Sequence, residues 1–154
     1  MELQNLVPLE AVIPNLKVSS KKQALQELAA YAADLTGLDA RTITDVVLER
    51  EKLGTTGVGQ GVAIPHGKLQ GLDQLYGVFA RLANPVDFES IDEQPVDLVF
   101  LLLAPEDAGA DHLKALAKVS RLLRNLSICG KIREADGRDA IHALLGEQET
   151  SNAA

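Results

Sequence analysis

One long apolar stretch stands out in the sequence, and it reads Asp97-Leu98-Val99-Phe100-Leu101-Leu102-Leu103-Ala104. The stretch is much shorter than the roughly 20 apolar residues that a membrane-spanning helix needs. A short apolar run without polar alternation is typical of a central strand that is covered on both faces. Because such a strand needs a layer above and a layer below it, we predict a sheet with helices on each side.

Two further stretches predict neighbouring strands. Gly61–Ile64 is short, contains branched apolar residues and is bounded by glycine and proline, and Tyr76–Leu82 alternates between its two faces. The sequence does not give the order of the strands. No helix is evident between Tyr76–Leu82 and the long apolar stretch, so these two strands can pair antiparallel, and we expect a mixed sheet.

Capping and spacing signals predict two helices before these strands. Ser20 with Gln23 three residues later matches a capping box, and the helix that follows is expected to end at Gly37. A second helix is predicted over residues 43–52, with Thr42 as its cap. Both segments carry apolar residues at helical spacing, as expected for helices that pack on a sheet.

Three helices are predicted after the long apolar stretch. The first covers residues 110–125 and the others cover residues 128–134 and 138–145. The predicted buried stripe of the first consists of Leu113, Leu116, Ser120 and Leu123. Strands and helices together indicate the α/β class: a single-domain α/β/α sandwich with a mixed central sheet flanked by helices, over residues 1–146. The polar end, residues 147–154, is expected to be a disordered tail.

Composition excludes several classes of function. The chain has 154 residues, no tryptophan and a net charge of −7. This charge argues against nucleic acid as the main ligand, because nucleic-acid binding depends on neutralising phosphates. The single cysteine, Cys129, cannot form an internal disulfide, and the first residues lack the pattern of a signal peptide. We therefore expect a cytoplasmic protein without a membrane span.

Glycine is concentrated between two of the predicted elements. Gly54, Gly57, Gly59 and Gly61 fall within eight positions, with Thr55 and Thr56 among them; Cys129, by contrast, sits in an apolar context typical of the core. Such a loop can present several backbone N–H groups to an anion, or it can be a simple flexible turn. The glycine spacing fits neither a P-loop, which would need lysine where Gln60 stands, nor a dinucleotide-binding fingerprint.

Three histidines were weighed as reactive groups. His66 follows a short predicted strand and stands between Pro65 and Gly67, where a neutral imidazole can act as a nucleophile; the alternative is a polar turn residue without a role. His112 is either a second imidazole of the same site or a surface residue in the first turn of its helix. His142 is interpreted as structural or solvent-facing. Their spacing gives no metal site.

Arg50 is the remaining candidate. It is predicted to lie at the carboxyl end of the second helix, directly before the glycine-rich loop. Its guanidinium can bind a phosphoryl group through two parallel hydrogen bonds. Alternatively, it belongs to a solvated helix end with local ion pairs, which is a common arrangement.

The sequence around these residues resembles a known family. The main segment reads Arg50-Glu51-Lys52-Leu53-Gly54-Thr55-Thr56-Gly57-Val58-Gly59-Gln60-Gly61-Val62-Ala63-Ile64-Pro65-His66-Gly67-Lys68, and the others are Phe88–Leu98 and Asp111–Leu113. They resemble the mannitol/fructose-type IIA domains of the bacterial phosphotransferase system, above all the nitrogen-regulatory branch. The resemblance covers roughly residues 3 to 146.

The resemblance implies a histidine phosphocarrier without cofactor or metal. His66 would accept a phosphoryl group on Nε2 from an HPr-like protein (NPr in the nitrogen branch), with Nδ1–H held by a backbone carbonyl. Arg50 and His112 match residues that the family places beside the nucleophile. The phosphoryl oxygens would be bound by the loop, and the candidates are Thr55, Thr56, Gly57 and Gly59. The resemblance does not decide between the two threonines.

The same resemblance implies regulatory partners. In the nitrogen branch these include potassium transport components and sensor kinases, and the acidic chain would attract a basic donor protein. One alternative is a sugar-specific IIA component of the fructose/mannitol type that donates its phosphoryl group to a IIB domain. Another is a regulatory binding module without catalysis. A metal-dependent hydrolase ranks last, because the chain lacks suitably spaced ligands.

Overall fold

The structure, a computed structural model, describes residues 2–147. Within them the chain forms one six-stranded sheet and six α-helices. The strands are β1 Val12–Leu16, β2 Gly57–Gly59, β3 Val62–Ala63, β4 His66–Leu69, β5 Tyr76–Val86 and β6 Val96–Pro105. The helices are α1 Leu3–Leu6, α2 Lys21–Thr36, α3 Ala40–Leu53, α4 Gly109–Leu123, α5 Leu126–Glu134 and α6 Arg138–Leu145.

The predicted long apolar strand, β6, lies at the centre of the sheet. The order of the strands is β1-β5-β6-β3-β2, and β4 pairs with β6 on the same side as β3. β5 runs antiparallel to β6, whereas β3 and β4 run parallel to it. Every residue from Leu98 to Ala104 is buried, as expected for a strand covered on both faces. The predicted mixed sheet is confirmed.

β3 and β4 form one interrupted strand beside β6. Val62 lies opposite Leu98 and His66 lies opposite Leu102, so the register is the same on both sides of the interruption. The gap falls at Ile64–Pro65, where proline has no N–H to donate. The Pro65 carbonyl still accepts a hydrogen bond from the Leu102 N–H, at 3.0 Å. His66 is therefore the first residue after a break within a strand.

Helices cover the sheet in two groups. α2 and α3 pack against each other and against β5 and β4, whereas α4, α5 and α6 contact one another, β6 and β1. The predicted α/β/α sandwich is therefore confirmed. α3 lies very close to β4, because a Cβ atom on Gly67 would come within 2.6 Å of Val46 Cγ1.

Two predicted helix ends are right and one is wrong. The Ser20 hydroxyl accepts a hydrogen bond from the Gln23 N–H at 3.1 Å, and Gly37 ends α2 in the left-handed conformation at φ 78°. α3 begins three residues earlier than predicted, since Asp39 rather than Thr42 is its cap and accepts the Thr42 N–H at 3.1 Å. The second carboxylate-to-amide cap was hidden by the similar pattern that begins at Thr42.

The predicted buried face of α4 is wrong. Leu113 is 69% exposed, whereas the buried positions are His112, Ala115, Val119, Leu122 and Leu123. Of the four predicted positions, only Leu123 is fully buried. The stripe is shifted because leucine was given more weight than alanine and histidine. This shift places His112 inside the protein.

Other elements differ in extent. β1, β2 and β4 were not predicted, and β5 extends beyond Leu82 to Val86. Most of the predicted tail, residues 148–154, lies outside the described residues, so its disorder stays a prediction; the Glu147 carboxylate lies 3.1 Å from Lys131 Nζ. Among the described residues, no helix is long and apolar enough to cross a membrane.

Candidate functional site

His66 is held in one tautomer by the break in its strand. Its Nδ1 lies 2.9 Å from the carbonyl oxygen of Ile64. Because a carbonyl oxygen can only accept, Nδ1 carries the proton and Nε2 keeps its lone pair. The Ile64 carbonyl is available because Pro65 interrupts the pairing of the strand at this point. The sequence thus builds a neutral, oriented imidazole.

His112 faces His66 from the first turn of α4. The centroids of the two rings are 5.7 Å apart and their planes meet at 69°. The His112 side chain is buried, and within the described part of the chain its Nε2 has no hydrogen-bond partner. An unpaired polar atom in a protein interior is unusual and calls for a partner. A ligand between the two rings would supply one.

Arg50 completes a hollow around the imidazoles. The hollow has a volume of about 340 Å³, and it is lined by Val46, Glu49, Arg50, Leu53, His66, Gly67, Lys68 and His112. Arg50 Nη1 donates to the carbonyl of Gly54 at 2.8 Å, which holds the side chain against the end of α3. The structure therefore brings together all three predicted catalytic residues, from α3, β4 and α4.

The environment keeps both imidazoles neutral. Burial lowers the pKa of His66, an effect that the Arg50 charge adds to; the bond to Ile64 and the Glu51 charge oppose it. Burial also lowers the pKa of His112, helped by the charges of His66 and Lys68. A neutral imidazole at neutral pH is a competent nucleophile.

The glycine-rich loop is already hydrogen-bonded within the protein. The Thr55 hydroxyl donates to the Phe88 carbonyl at 2.6 Å and accepts the Gly57 N–H at 3.0 Å. Gly59 pairs with Val62 across the β2–β3 hairpin. A Cβ atom on Gly57 would collide with Ser90, so close packing explains this glycine.

Thr56 is bound to a carboxylate that sequence reasoning did not single out. Its N–H and its hydroxyl donate to the two oxygens of Glu51, at 3.0 and 2.6 Å. Lys21 at the start of α2 lies 3.3 Å from Glu51 Oε2 and 3.0 Å from Glu89 Oε1. The predicted phosphoryl-binding groups of Thr55, Thr56, Gly57 and Gly59 do not line the hollow. Their role stays a prediction, and it requires these internal bonds to rearrange.

The remaining titratable groups lie elsewhere. His142 Nε2 is 2.8 Å from the Val7 carbonyl, so this histidine is structural. Cys129 is buried in the core, as predicted. Among residues 2–147 no three histidine, cysteine or acidic side chains are grouped so that they could hold a metal ion.

The comparison with known families explains this arrangement. The family model of the phosphoenolpyruvate-dependent sugar phosphotransferase system, EIIA 2, matches residues 5–148. The chain belongs to this EIIA 2 family. Members are components of a phosphotransfer system, and a neutral histidine beside an arginine and a second imidazole suits that chemistry.

Individual relatives in the family carry two kinds of name. A nitrogen regulatory protein of Bradyrhizobium diazoefficiens is 63% identical over 145 residues, which cover 94% of this chain and 95% of the relative. A fructose-specific EIIA component of Haloferax volcanii is 34% identical over 147 residues, 95% of this chain and 96% of that protein. The crystal structure of nitrogen regulatory protein IIA-Ntr from Neisseria meningitidis matches with a TM-score of 0.88 at 35% identity, covering 92% and 97% of the chains.

Glu51 and Lys21 of this EIIA 2 chain had a weak signal in the sequence. Glu51 lies among charged neighbours at a helix end, where a solvated role is the usual one. Nothing local distinguishes it from Glu49, whose side chain is exposed. Only the approach of α2 to α3 reveals that Glu51 is buried and paired.

Proposed function

We propose that the protein is a cytoplasmic histidine phosphocarrier of the nitrogen-related phosphotransferase system. It accepts a phosphoryl group on Nε2 of His66 from a phosphorylated HPr-like protein (NPr), and its phosphorylation state regulates other proteins. The observation that carries the proposal is the bond of His66 Nδ1–H to the Ile64 carbonyl in a hollow shared with Arg50 and His112. This bond leaves Nε2 as the nucleophilic nitrogen.

The transfer step needs little rearrangement of protons. The Nε2 lone pair of His66 forms the new N–P bond, and the N–P bond of the donor's phosphohistidine breaks. The leaving imidazole of the donor takes the bonding electron pair. The proton on His66 Nδ1 stays in place throughout, because the Ile64 carbonyl accepts it. The protein acts in this sense as a phosphotransferase.

Charge on the phosphoryl oxygens is stabilised from two sides. Phosphoryl transfer has a loose transition state, so positioning and electrostatic stabilisation provide most of the catalysis. Arg50 supplies a permanent positive charge with several N–H donors. His112 supplies its unpaired Nε2 as a donor when that nitrogen carries the ring proton. Thr55, Thr56, Gly57 and Gly59 contribute only if the loop changes its hydrogen bonds.

The nitrogen-related role is supported by the relatives with the higher identities. The relative at 63% identity is named a nitrogen regulatory protein, and so is the Neisseria structure. We propose regulatory protein targets of the same kind as in the nitrogen branch, namely potassium transport components or sensor kinases. The net charge of −7 supports electrostatic attraction of a basic donor.

A second candidate is a sugar-specific IIA component that passes its phosphoryl group to a IIB domain. The observation that favours it is the fructose-specific name of a relative that matches along almost its whole length. Both candidates share the step at His66. They differ only in the acceptor that follows.

Reconstitution with phosphoenolpyruvate, enzyme I and an HPr-like donor tests the shared step. Intact-mass spectrometry of the wild type is expected to show one acid-labile phosphoryl group, and His66→Ala is expected to show none. His142→Gln is the matched control, because it changes a histidine that binds the Val7 carbonyl outside the hollow. It should be phosphorylated like the wild type.

The same preparation separates the two candidates. Purified phosphoprotein is mixed with IIB domains of the fructose and mannitol types, and loss of the phosphoryl group is followed with time. Stable label supports the regulatory carrier, and rapid discharge supports the sugar-specific component. An unlabelled wild type beside a labelled control IIA protein would overturn both and favour a binding module.

A further inference from the structure

We propose that Glu51 is a positioning residue for His66, acting through a continuous chain of hydrogen bonds from Lys21 to the nucleophile. This inference rests on the proposed function, in which His66 is the phosphoryl acceptor. Its structural part, control of the His66 tautomer, can be measured in the unphosphorylated protein.

The chain runs through four contacts. Lys21 Nζ donates to Glu51 Oε2 at 3.3 Å, and Glu51 accepts both the N–H and the hydroxyl of Thr56. The Thr56 carbonyl then accepts the Ile64 N–H at 3.0 Å. The Ile64 carbonyl accepts the proton on His66 Nδ1 at 2.9 Å. Each peptide group donates on one side and accepts on the other, so the chain polarises in one direction.

Burial indicates that Glu51 is held for a purpose beyond surface charge. Its side chain is only 4% exposed, in contrast to the 74% exposure of Glu49 on the same helix. A buried carboxylate is costly unless it is paired and hydrogen-bonded, and Glu51 meets both conditions through Lys21 and Thr56. Its two oxygens fix the backbone of Thr56, which in turn fixes Ile64.

The charge of Glu51 acts on the nucleophile in the productive direction. When Nε2 takes the phosphoryl group, the ring becomes positive and its Nδ1–H becomes a stronger donor. The Ile64 carbonyl must then accept a stronger bond, and a negative charge at the far end of the chain favours it. Arg50, on the other side of His66, stabilises the phosphoryl oxygens instead.

Glu51→Gln tests the chain, because glutamine keeps the shape and one acceptor oxygen but loses the charge and the second acceptor. The matched control is Glu27→Gln, an exposed position on α2. Nitrogen–proton NMR of the imidazoles gives the tautomer and the pKa of His66 without phosphorylation. The reconstituted system gives the rate of phosphoryl acceptance, and urea unfolding shows whether each variant is folded.

In Glu51→Gln we expect a mixture of His66 tautomers instead of the Nδ1–H form alone. We also expect a lower pKa for His66, because the lost charge favours the imidazolium. The rate of acceptance should fall on the order of tenfold to a hundredfold, as small displacements of reacting groups can cause. Glu27→Gln should match the wild type in all three.

An unchanged tautomer and pKa in folded Glu51→Gln, with a rate within about twofold of the wild type, would overturn the proposal. If Glu51→Gln does not fold, Thr56→Val breaks only the hydroxyl contact to Glu51 and should shift the tautomer in the same direction. An unchanged tautomer in that variant would overturn the proposal as well. If the wild type accepts no phosphoryl group, the proposed function fails while the tautomer measurement still decides the positioning role.

Discussion

The two ends of the β2–β3 hairpin are anchored by ion pairs of different design. At the first end, Thr56 donates to the buried Glu51, which is paired with Lys21. At the turn, the Gln60 carbonyl accepts from Arg133, whose guanidinium binds both oxygens of Asp97 at 2.8 and 2.9 Å. The side chains of the second pair are 33% and 25% exposed. Both pairs fix the hairpin to a neighbouring helix.

Only the first anchor is connected to the nucleophile. The backbone of Thr56 binds Ile64, which binds His66, whereas Asp97 and Gln60 contact the opposite end of the hairpin. The two ion pairs therefore provide an internal comparison. One should affect both stability and phosphoryl transfer, and the other should affect stability alone.

The largest effect is expected from Lys21→Met. This change leaves the buried Glu51 carboxylate without its cation, which typically lowers the free energy of unfolding by about 2–4 kcal/mol. The rate of phosphoryl acceptance by the folded fraction should also fall, because the chain to His66 begins at Lys21. Urea unfolding and the reconstituted transfer assay measure the two effects. Lys22→Met, an exposed neighbour, is the control; equal losses in the two variants would contradict the assignment.

Arg133→Met sharpens the comparison from the other end. Because Asp97 is partly exposed, its unpaired charge is screened, and we expect a loss of about 1–3 kcal/mol in the free energy of unfolding. The transfer rate, measured where the variant is fully folded, should equal that of the wild type. Arg121→Met on α4 provides a variant with the same change of charge at an exposed position. A slowed transfer in Arg133→Met would show that the turn also reaches the nucleophile.

The smallest effect is expected in the pH dependence of stability. The pKa values of His66 and His112 are lowered in the folded protein from an ordinary value of 6.5. Below about pH 6.5 the unfolded chain binds protons that the folded protein refuses, so stability falls as the pH decreases towards the folded-state values. In His112→Gln this decrease should be shallower. Urea unfolding between pH 7.5 and 5 measures both slopes, and identical slopes would contradict the prediction.

Local signals predicted much of the fold. The capping pair at Ser20 and Gln23, the glycine that ends α2 and the apolar run of β6 each depend on a few adjacent residues, so the sequence indicates them directly. β1 was missed because Pro14 breaks its pattern, as proline does in edge strands. β2 was missed because two of its three residues are glycine.

The candidate site was only partly predictable for a related reason. Its residue types could be recognised, and His66, Arg50 and His112 do line one hollow. The hydrogen bonds of Thr55 and Thr56 depend on Phe88 and Glu51, and the burial of Glu51 depends on Lys21, thirty positions away along the chain. Such pairings arise from packing between elements, which the periodicity of one segment cannot show.

The absence of a side chain at Gly67 sets a mechanical tolerance for the whole site. α3 and β4 meet at Val46 and Gly67 with no room for a methyl group between them. Arg50 lies one helical turn beyond Val46, whereas His66 is the immediate neighbour of Gly67. The thickness of this single contact therefore determines the gap between guanidinium and imidazole. Any enlargement at position 67 would act as a wedge that moves the cation away from the phosphoryl group.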